Sequence, residues 1–249
     1  MAINTITIDF WNTLVVARSN GEARQEARVR AVRQLGEKYN SSITEEQVQQ
    51  ARRYADEKFR HVWLENHRTQ TSEELIANML EYLSLPVDED ELRHLVSVFQ
   101  NSMDDGPPDL AAGVSEALEE LYHIAPLVIV SDTMFSPGKV LRNYLKKKKL
   151  FNYFRYFVFS DEIGVSKPHH RTFEKALAIT GTPPHESVHI GDIEQTDITG
   201  ARNMGMKTIL YTGVSNSDEN QTTADFICHN WHEIPHLIHS MHSGQAGTG

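Results

Sequence analysis

From about residue 113 onward the chain alternates short apolar stretches with amphipathic ones, and this alternation limits the fold more than any other feature. Strand-like runs at 127–131, 156–160, 187–191, 207–211 and 225–228 are interleaved with helical patterns near 113–123, 137–149, 169–180 and 196–204, and a last helix starts at about 231. Strands that are apolar along their whole length are buried on both faces, and parallel strands need crossover connections. The pattern predicts an α/β fold: a Rossmann-like parallel sheet with helices covering both faces.

One strand stands apart. Ile3, Thr5, Ile6, Thr7 and Ile8 form a β-branched run near the amino end, and the next such run begins only at Leu127. The interval reads as helices. Ala23, Ala27, Ala31 and Leu35 recur every four residues, and Val48, Ala51, Ala55, Phe59 and Val62 keep a helical period. Thr44 with Gln47, and Thr71 with Glu74, have the spacing of capping boxes, the second opening a helix with Leu75, Ile76, Met79, Leu80 and Leu83. Acidic residues 88–91 suit the positive end of a fourth helix carrying Leu92, Leu95, Val96 and Phe99, and Gly106-Pro107-Pro108 ends the pattern. Residues 18–104 are therefore expected to form a four-helix cap placed over the strand ends, inserted into an α/β core made of residues 1–17 and 105–249.

A chain of 249 residues can bury a sizeable core. Its 24 Lys and Arg against 34 Asp and Glu give a net charge of −10, which argues against general nucleic-acid binding and leaves room for a small anionic substrate in a locally positive site. Cys228 is the single cysteine, so no intrachain disulfide can form. No apolar run approaches the roughly 18 residues of a membrane span. The opening MAINTITIDF lacks the basic and apolar segments of a secretory leader. The expectation is a cytoplasmic protein without a nucleic-acid or membrane partner; spacing alone does not give its substrate or oligomeric state.

In open α/β sheets ligands gather beyond the carboxyl ends of the strands. Polar residues cluster at those ends here: Asp9 and Thr13 after the first strand, Ser131-Asp132-Thr133 after the second, Lys167-Pro168 in the following loop, and Gly191-Asp192 with Asp197 five residues on. Each could merely cap a helix. Together they make a chemical set. Carboxylates from Asp9 and Asp192 suit Mg²⁺, an oxygen-seeking ion that bridges to phosphate oxygens. Asp9 could attack phosphorus to form an aspartyl phosphate, while Lys167 and Ser131 hold the phosphoryl oxygens.

Four ordered segments, TIDFWNTL, VIVSDT, GVSKP and HIGDIEQTDITGA, span residues 6–201. Through them the sequence resembles the haloacid dehalogenase superfamily of phosphatases, dehalogenases and phosphomutases, many of which carry a helical cap at the position of residues 18–104. The resemblance implies Asp9 as nucleophile, Ser131 as a ligand of the transferring group, Lys167 as stabiliser of the charged intermediate, and Asp192 as a metal ligand, with Asp197 as a supporting acid counted in the Mg²⁺ set beside Asp9. The backbone carbonyl of the residue at position 11 would also reach the metal, and Thr13, Asp132 and Trp11 would border a phosphorylated substrate.

At one position the chain departs from that pattern. Phosphatases of the superfamily usually carry a second aspartate two residues after the nucleophile, where it protonates the leaving group and activates water. Here that residue is Trp11, and an indole cannot serve as a general acid or base near neutral pH. Three readings stay open: a Mg²⁺-dependent phosphohydrolase whose substrate has a good leaving group, a 2-haloacid dehalogenase, whose halide leaves without protonation, and a ligand- or protein-binding module without turnover. His232, His236 and His239 lie near one face of the last helix, Arg18, Arg24 and Arg28 stand at the start of the insertion, and Trp63 is expected in the core of the cap. The tail 243–249 has no apolar period and reads as a flexible end.

Overall fold

The computed structural model describes residues 2–242, so the tail 243–249 lies outside the described residues. The chain opens with β1 (Thr5–Ile8), which is buried at every residue, and β2 (Val15–Val16). Four helices follow: α1 (Gly21–Lys38), α2 (Glu45–Asn66), α3 (Ser72–Leu83) and α4 (Glu89–Asn101). Both predicted capping boxes close, Thr44 accepting from the Gln47 amide and Thr71 from the Glu74 amide, and Asp88 closes a third with Glu91. In α1 the alanine stripe is only half-buried. Its buried face instead comprises Arg24, Val29, Val32, Leu35 and Gly36, because Ile43 packs so tightly on Gly36 that a Cβ there would overlap it.

After β3 (Asp109–Leu110), which pairs antiparallel with β2, the predicted alternation appears. It runs α5 (Val114–Tyr122), β4 (Leu127–Ser131), α6 (Gly138–Lys147), β5 (Phe154–Phe159), α7 (Ser160–Ile163), α8 (His170–Thr180) and β6 (Ser187–Gly191). A π-helical turn, Glu194–Ile198, leads into α9 (Thr199–Asn203), then β7 (Lys207–Tyr211), β8 (Phe226–Cys228) and α10 (Glu233–His242). The six-stranded sheet has the order β5-β4-β1-β6-β7-β8 and is parallel throughout. The α/β class read from the alternation is the class observed.

Contacts divide the chain into two compact units. The α/β unit holds the residues up to Ala17, Asp109–Asp132 and the described residues from Leu145 on; the helical unit holds Arg18–Pro108 together with Thr133–Tyr144. That second segment groups with the helices because Phe135 is buried in their core, tilted against Phe99 with 5.3 Å between ring centroids. Trp63 packs at the edge of the same core, stacked on Phe59. The β2–β3 ribbon lies in the α/β unit where the chain leaves for the main helical segment and returns from it.

Candidate active site

The order of the sheet creates one place where crossovers depart to opposite sides. From the central β1 the chain continues to β4 and β5 on one side, then to β6, β7 and β8 on the other. Ile8 pairs in register with Ile129 of β4 and Ile190 of β6. Asp9, Ser131 and Asp192 therefore emerge within one residue of the same level, from three adjacent strands, at the carboxyl end where such sheets bind ligands. The Asp9 amide donates to the Ile190 carbonyl at 2.9 Å, which anchors the first carboxylate against β6.

Lys167 follows α7, a short helix with too few residues to leave a periodic trace in the sequence. Its Nζ donates to Asp9 Oδ1 at 2.5 Å and to Asp197 Oδ1 at 2.6 Å. Its own backbone amide donates to Asp132 Oδ1 at 3.0 Å. The side chains of Lys167, Asp9 and Asp197 are only 3%, 6% and 1% exposed, so these charges are held away from water and must compensate one another. Burial alone would lower the lysine's pKa, yet Asp197 and Asp9 outweigh it and hold the ammonium above the usual lysine range. Burial would raise Asp197, but Lys167 and His189 hold that carboxyl well below its usual range. Asp9 is raised by burial, with Lys167 and a hydrogen bond from Ser131 opposing the rise.

Asp197 is delivered by the π-helical turn, an arrangement that recurs at functional sites. The turn brings the carboxylate onto β6, where a Cβ at Gly191 would fall on its carbon atom; only glycine allows the approach. His189, on β6 and fully buried, places Nε2 2.9 Å from Asp197 Oδ1, while its Nδ1 lies 2.8 Å from the Thr7 hydroxyl on β1. Sequence reading passed over His189. The usable signal was a histidine inside an otherwise apolar strand three residues before Asp192, since a fully buried imidazole needs partners.

The expectation for Asp197 changes with this geometry. Oδ1 is engaged by Lys167 and His189, and Oδ2 accepts from the Ile193 amide at 3.1 Å and from Thr196 Oγ1 at 3.3 Å. With its oxygens so engaged, Asp197 fits the role of holding Lys167 rather than that of a metal ligand. Asp192 differs. Burial, then Asp197 and Asp9, push its carboxyl well above its usual range, with a hydrogen bond from Asn12 opposing. Two buried carboxylates that resist being charged side by side are a donor pair that a hard divalent cation would relieve, and Mg²⁺ needs only one or two carboxylates because it keeps several waters. No cluster of three or more His, Cys, Asp or Glu side chains fit to hold a metal occurs among the described residues, His232, His236 and His239 included.

Two further residues border the centre in sequence. Thr13 is fully buried, its carbonyl accepts from Trp231 Nε1 at 2.9 Å, and its hydroxyl has no hydrogen-bond partner among the described residues. Trp11 is half-buried and packs edge-on against Phe10 at 5.0 Å, while Asn12 takes a left-handed conformation with φ 53°. Asn12 Oδ1 accepts from the Ala17 amide at 3.2 Å, so the turn that carries Trp11 is closed by its own residues.

A parallel sheet whose switch-point strands end in aspartates, one of them bound to a buried lysine, defines a class of α/β proteins with their chemistry at the strand ends. Within that class, the chain belongs to the haloacid dehalogenase-like hydrolase family, whose model matches residues 25–211. It is 34% identical over 101 residues to "Haloacid dehalogenase-like hydrolase domain-containing protein 3" of Xenopus laevis, a match covering 41% of this chain and 40% of that protein. It is 35% identical over 80 residues to "Glyceraldehyde 3-phosphate phosphatase" of Pyrococcus furiosus, covering 31% of this chain and 33% of that one. The matched stretches thus span well under half the length of these relatives. Among solved structures, the HAD-hydrolase YfnB from Bacillus subtilis bound to magnesium shares the fold, with a TM-score of 0.67, 18% identity and coverage of 96% of this chain and 99% of that one. No helix among the described residues is long and apolar enough to cross a membrane.

Proposed function

We propose that the protein is a Mg²⁺-dependent phosphohydrolase acting on a small phosphorylated compound with a good leaving group, such as an acyl or aryl phosphate. The observation that carries this reading is the buried Asp9 carboxylate held by Lys167 and beside Asp192, with an indole where a proton donor would be needed. Asp9 attacks phosphorus, the bond to the leaving oxygen breaks with its electron pair, and an aspartyl phosphate results. Lys167, fixed from the other side by Asp197, stays protonated and faces the charge that develops on the phosphoryl oxygens. Ser131 orients Asp9 through its hydroxyl. Asp9 and Asp192 would hold Mg²⁺, which when bound neutralises phosphoryl charge. Water then attacks phosphorus and returns Asp9 as the carboxylate.

Trp11 limits the leaving groups: with no acid to protonate an alkoxide, departure depends on the stability of the leaving anion. The helical unit serves as the cap that selects the substrate. The Pyrococcus furiosus relative named a phosphatase and the magnesium bound to the Bacillus subtilis structure support the reaction class and the ion. A reducing, cytoplasmic setting suits a lone buried thiol at Cys228.

The test is turnover of acetyl phosphate and p-nitrophenyl phosphate with and without Mg²⁺, with 2-chloropropionate alongside. The expected result is phosphate release that Asp9→Asn and a chelator each abolish. Chloride release without metal overturns the reading in favour of dehalogenation.

A further inference from the structure

The turn that delivers Asp197 is braced from outside by a loop distant in sequence. Spanning Glu194–Ile198, the π-helical turn has too few residues to be stable on its own backbone bonds. Ile193, which precedes it, has an apolar side chain and gives the turn no cap, where a short polar residue would supply one. The missing oxygen comes from Asp218: the Glu194 amide donates to its Oδ2 at 2.7 Å. Asp218 lies in the connection from β7 to β8, residues 212–225, in which the one regular piece is a single 3₁₀ turn, Glu219–Gln221.

Three further bonds join the loop to Glu194. Thr222 Oγ1 donates to Glu194 Oε2 at 2.6 Å, the Thr223 amide donates to the same oxygen at 3.1 Å, and Thr223 Oγ1 donates to Oε1 at 2.6 Å, so both oxygens of the Glu194 carboxylate are held. The loop is itself tied down. Arg202 on α9 donates to the Thr223 carbonyl, and Asp225, just before β8, accepts from Lys207 Nζ at 2.7 Å and from the Thr208 amide at 2.9 Å. Connections of this length are uncommon inside a compact unit unless they serve its function. The whole arrangement lies within the α/β unit. Inside the turn, the Asp197 and Ile198 amides both donate to the Ile193 carbonyl, at 2.9 and 3.3 Å. Fixing Glu194 therefore fixes the start of the segment whose Asp197 accepts from Lys167 at 2.6 Å.

We propose that Glu194 and Asp218 are positioning residues: joined through the loop 212–225, they hold the π-helical turn in the shape that keeps Asp197 on Lys167. Both act through Asp197. Their effect on turnover rests on the phosphohydrolase reading; their hold on the turn does not.

Two measurements on the full chain test it. In the first, hydrogen–deuterium exchange is followed by mass spectrometry in peptides that cover the π-helical turn, with β4 as internal reference. Exchange at the Asp197 and Ile198 amides should be faster in Glu194→Ala and Asp218→Ala than in the wild type and unchanged over β4, while Asp218→Asn, which keeps an oxygen for the Glu194 amide, should restore it. Thr223→Val removes one hydroxyl from an exposed residue and should also speed exchange, so it tests the arrangement even where Glu194→Ala fails to fold. In the second, kcat and KM for p-nitrophenyl phosphate are measured with Mg²⁺. Glu194→Ala and Asp218→Ala should each lower kcat about tenfold with KM unchanged, less than the roughly hundredfold loss that a misplacement of about 1 Å brings, and Asp218→Asn should recover it. A loop that serves only stability predicts equal kcat in every variant that folds. If the wild type releases no phosphate while exchange depends on Glu194 and Asp218, the hold on the turn stands and the phosphohydrolase reading fails. Wild-type exchange in all variants, or faster exchange with kcat intact in an enzyme that turns over, overturns the proposal.

Discussion

Under the proposed mechanism, with Asp9 as nucleophile, the indole at Trp11 confines the chemistry to substrates that need no acid. Trp11→Asp should then raise kcat/KM for an alkyl phosphate by about a hundredfold, at the lower end of what a positioned general acid contributes. The assay is phosphate release from ethyl phosphate, and no gain would count against the role given to the indole. Asp192 makes a different prediction, one of stability. Its carboxyl is raised in the folded state, so the fold retains a proton that the unfolded chain has already released. That contribution is fully present below the ordinary value of 3.8 and is lost as pH rises through the raised one, which leaves the metal-free protein weakened at neutral pH. Asp192→Asn should raise the metal-free Tm at neutral pH, by about 2–4 °C for each kcal/mol relieved, and should remove any further rise on adding Mg²⁺. Differential scanning calorimetry with and without the ion reads both effects.

At the scale of single elements, β6 and the π-helical turn after it act as one device. Gly191 leaves the space into which Asp197 folds, and Asp197 in turn holds Lys167. Gly191→Ala should cost about 1–3 kcal/mol in urea unfolding, the usual price of overpacking, and should lower kcat as Lys167 loses its support. An unchanged kcat would separate the turn from catalysis. Much of this device is legible in the sequence, because strand ends coincide with abrupt breaks from apolar to polar residues at Asp9, Ser131 and Asp192. The pairing of His189 with Asp197 is not, since strand periodicity records which face a side chain takes and says nothing of the aspartate it meets. Nor are β2 and β3 legible, because two residues are too few to show a period. The buried face of α1 escaped for another reason: three alanines mark a helix, but Val29, Val32 and the small Gly36 decide which side packs.

For the whole molecule, the two units divide the chain differently from a simple insertion. The helical unit draws its core from Arg18–Pro108 and also from Thr133–Tyr144, whose Phe135 is 4% exposed within that core. Replacing residues 18–108 by a short turn should leave Phe135 uncovered and produce a protein prone to association. Adding Phe135→Ser to the same deletion should restore a monomeric α/β unit on size-exclusion chromatography; aggregation of the deletion unaffected by that change would remove Phe135 as its cause.

The same division bears on ancestry. A lineage that exchanged one helical insertion for another at the β2–β3 ribbon would inherit a new core around an old aromatic ring, because residue 135 is encoded beyond the point of exchange. The incoming helices must already fit that ring, or the residues at 133–136 must change with them. Helical segments and this distant loop are therefore expected to change as a pair, and hybrids joined at the ribbon alone should fold less well than hybrids that carry both.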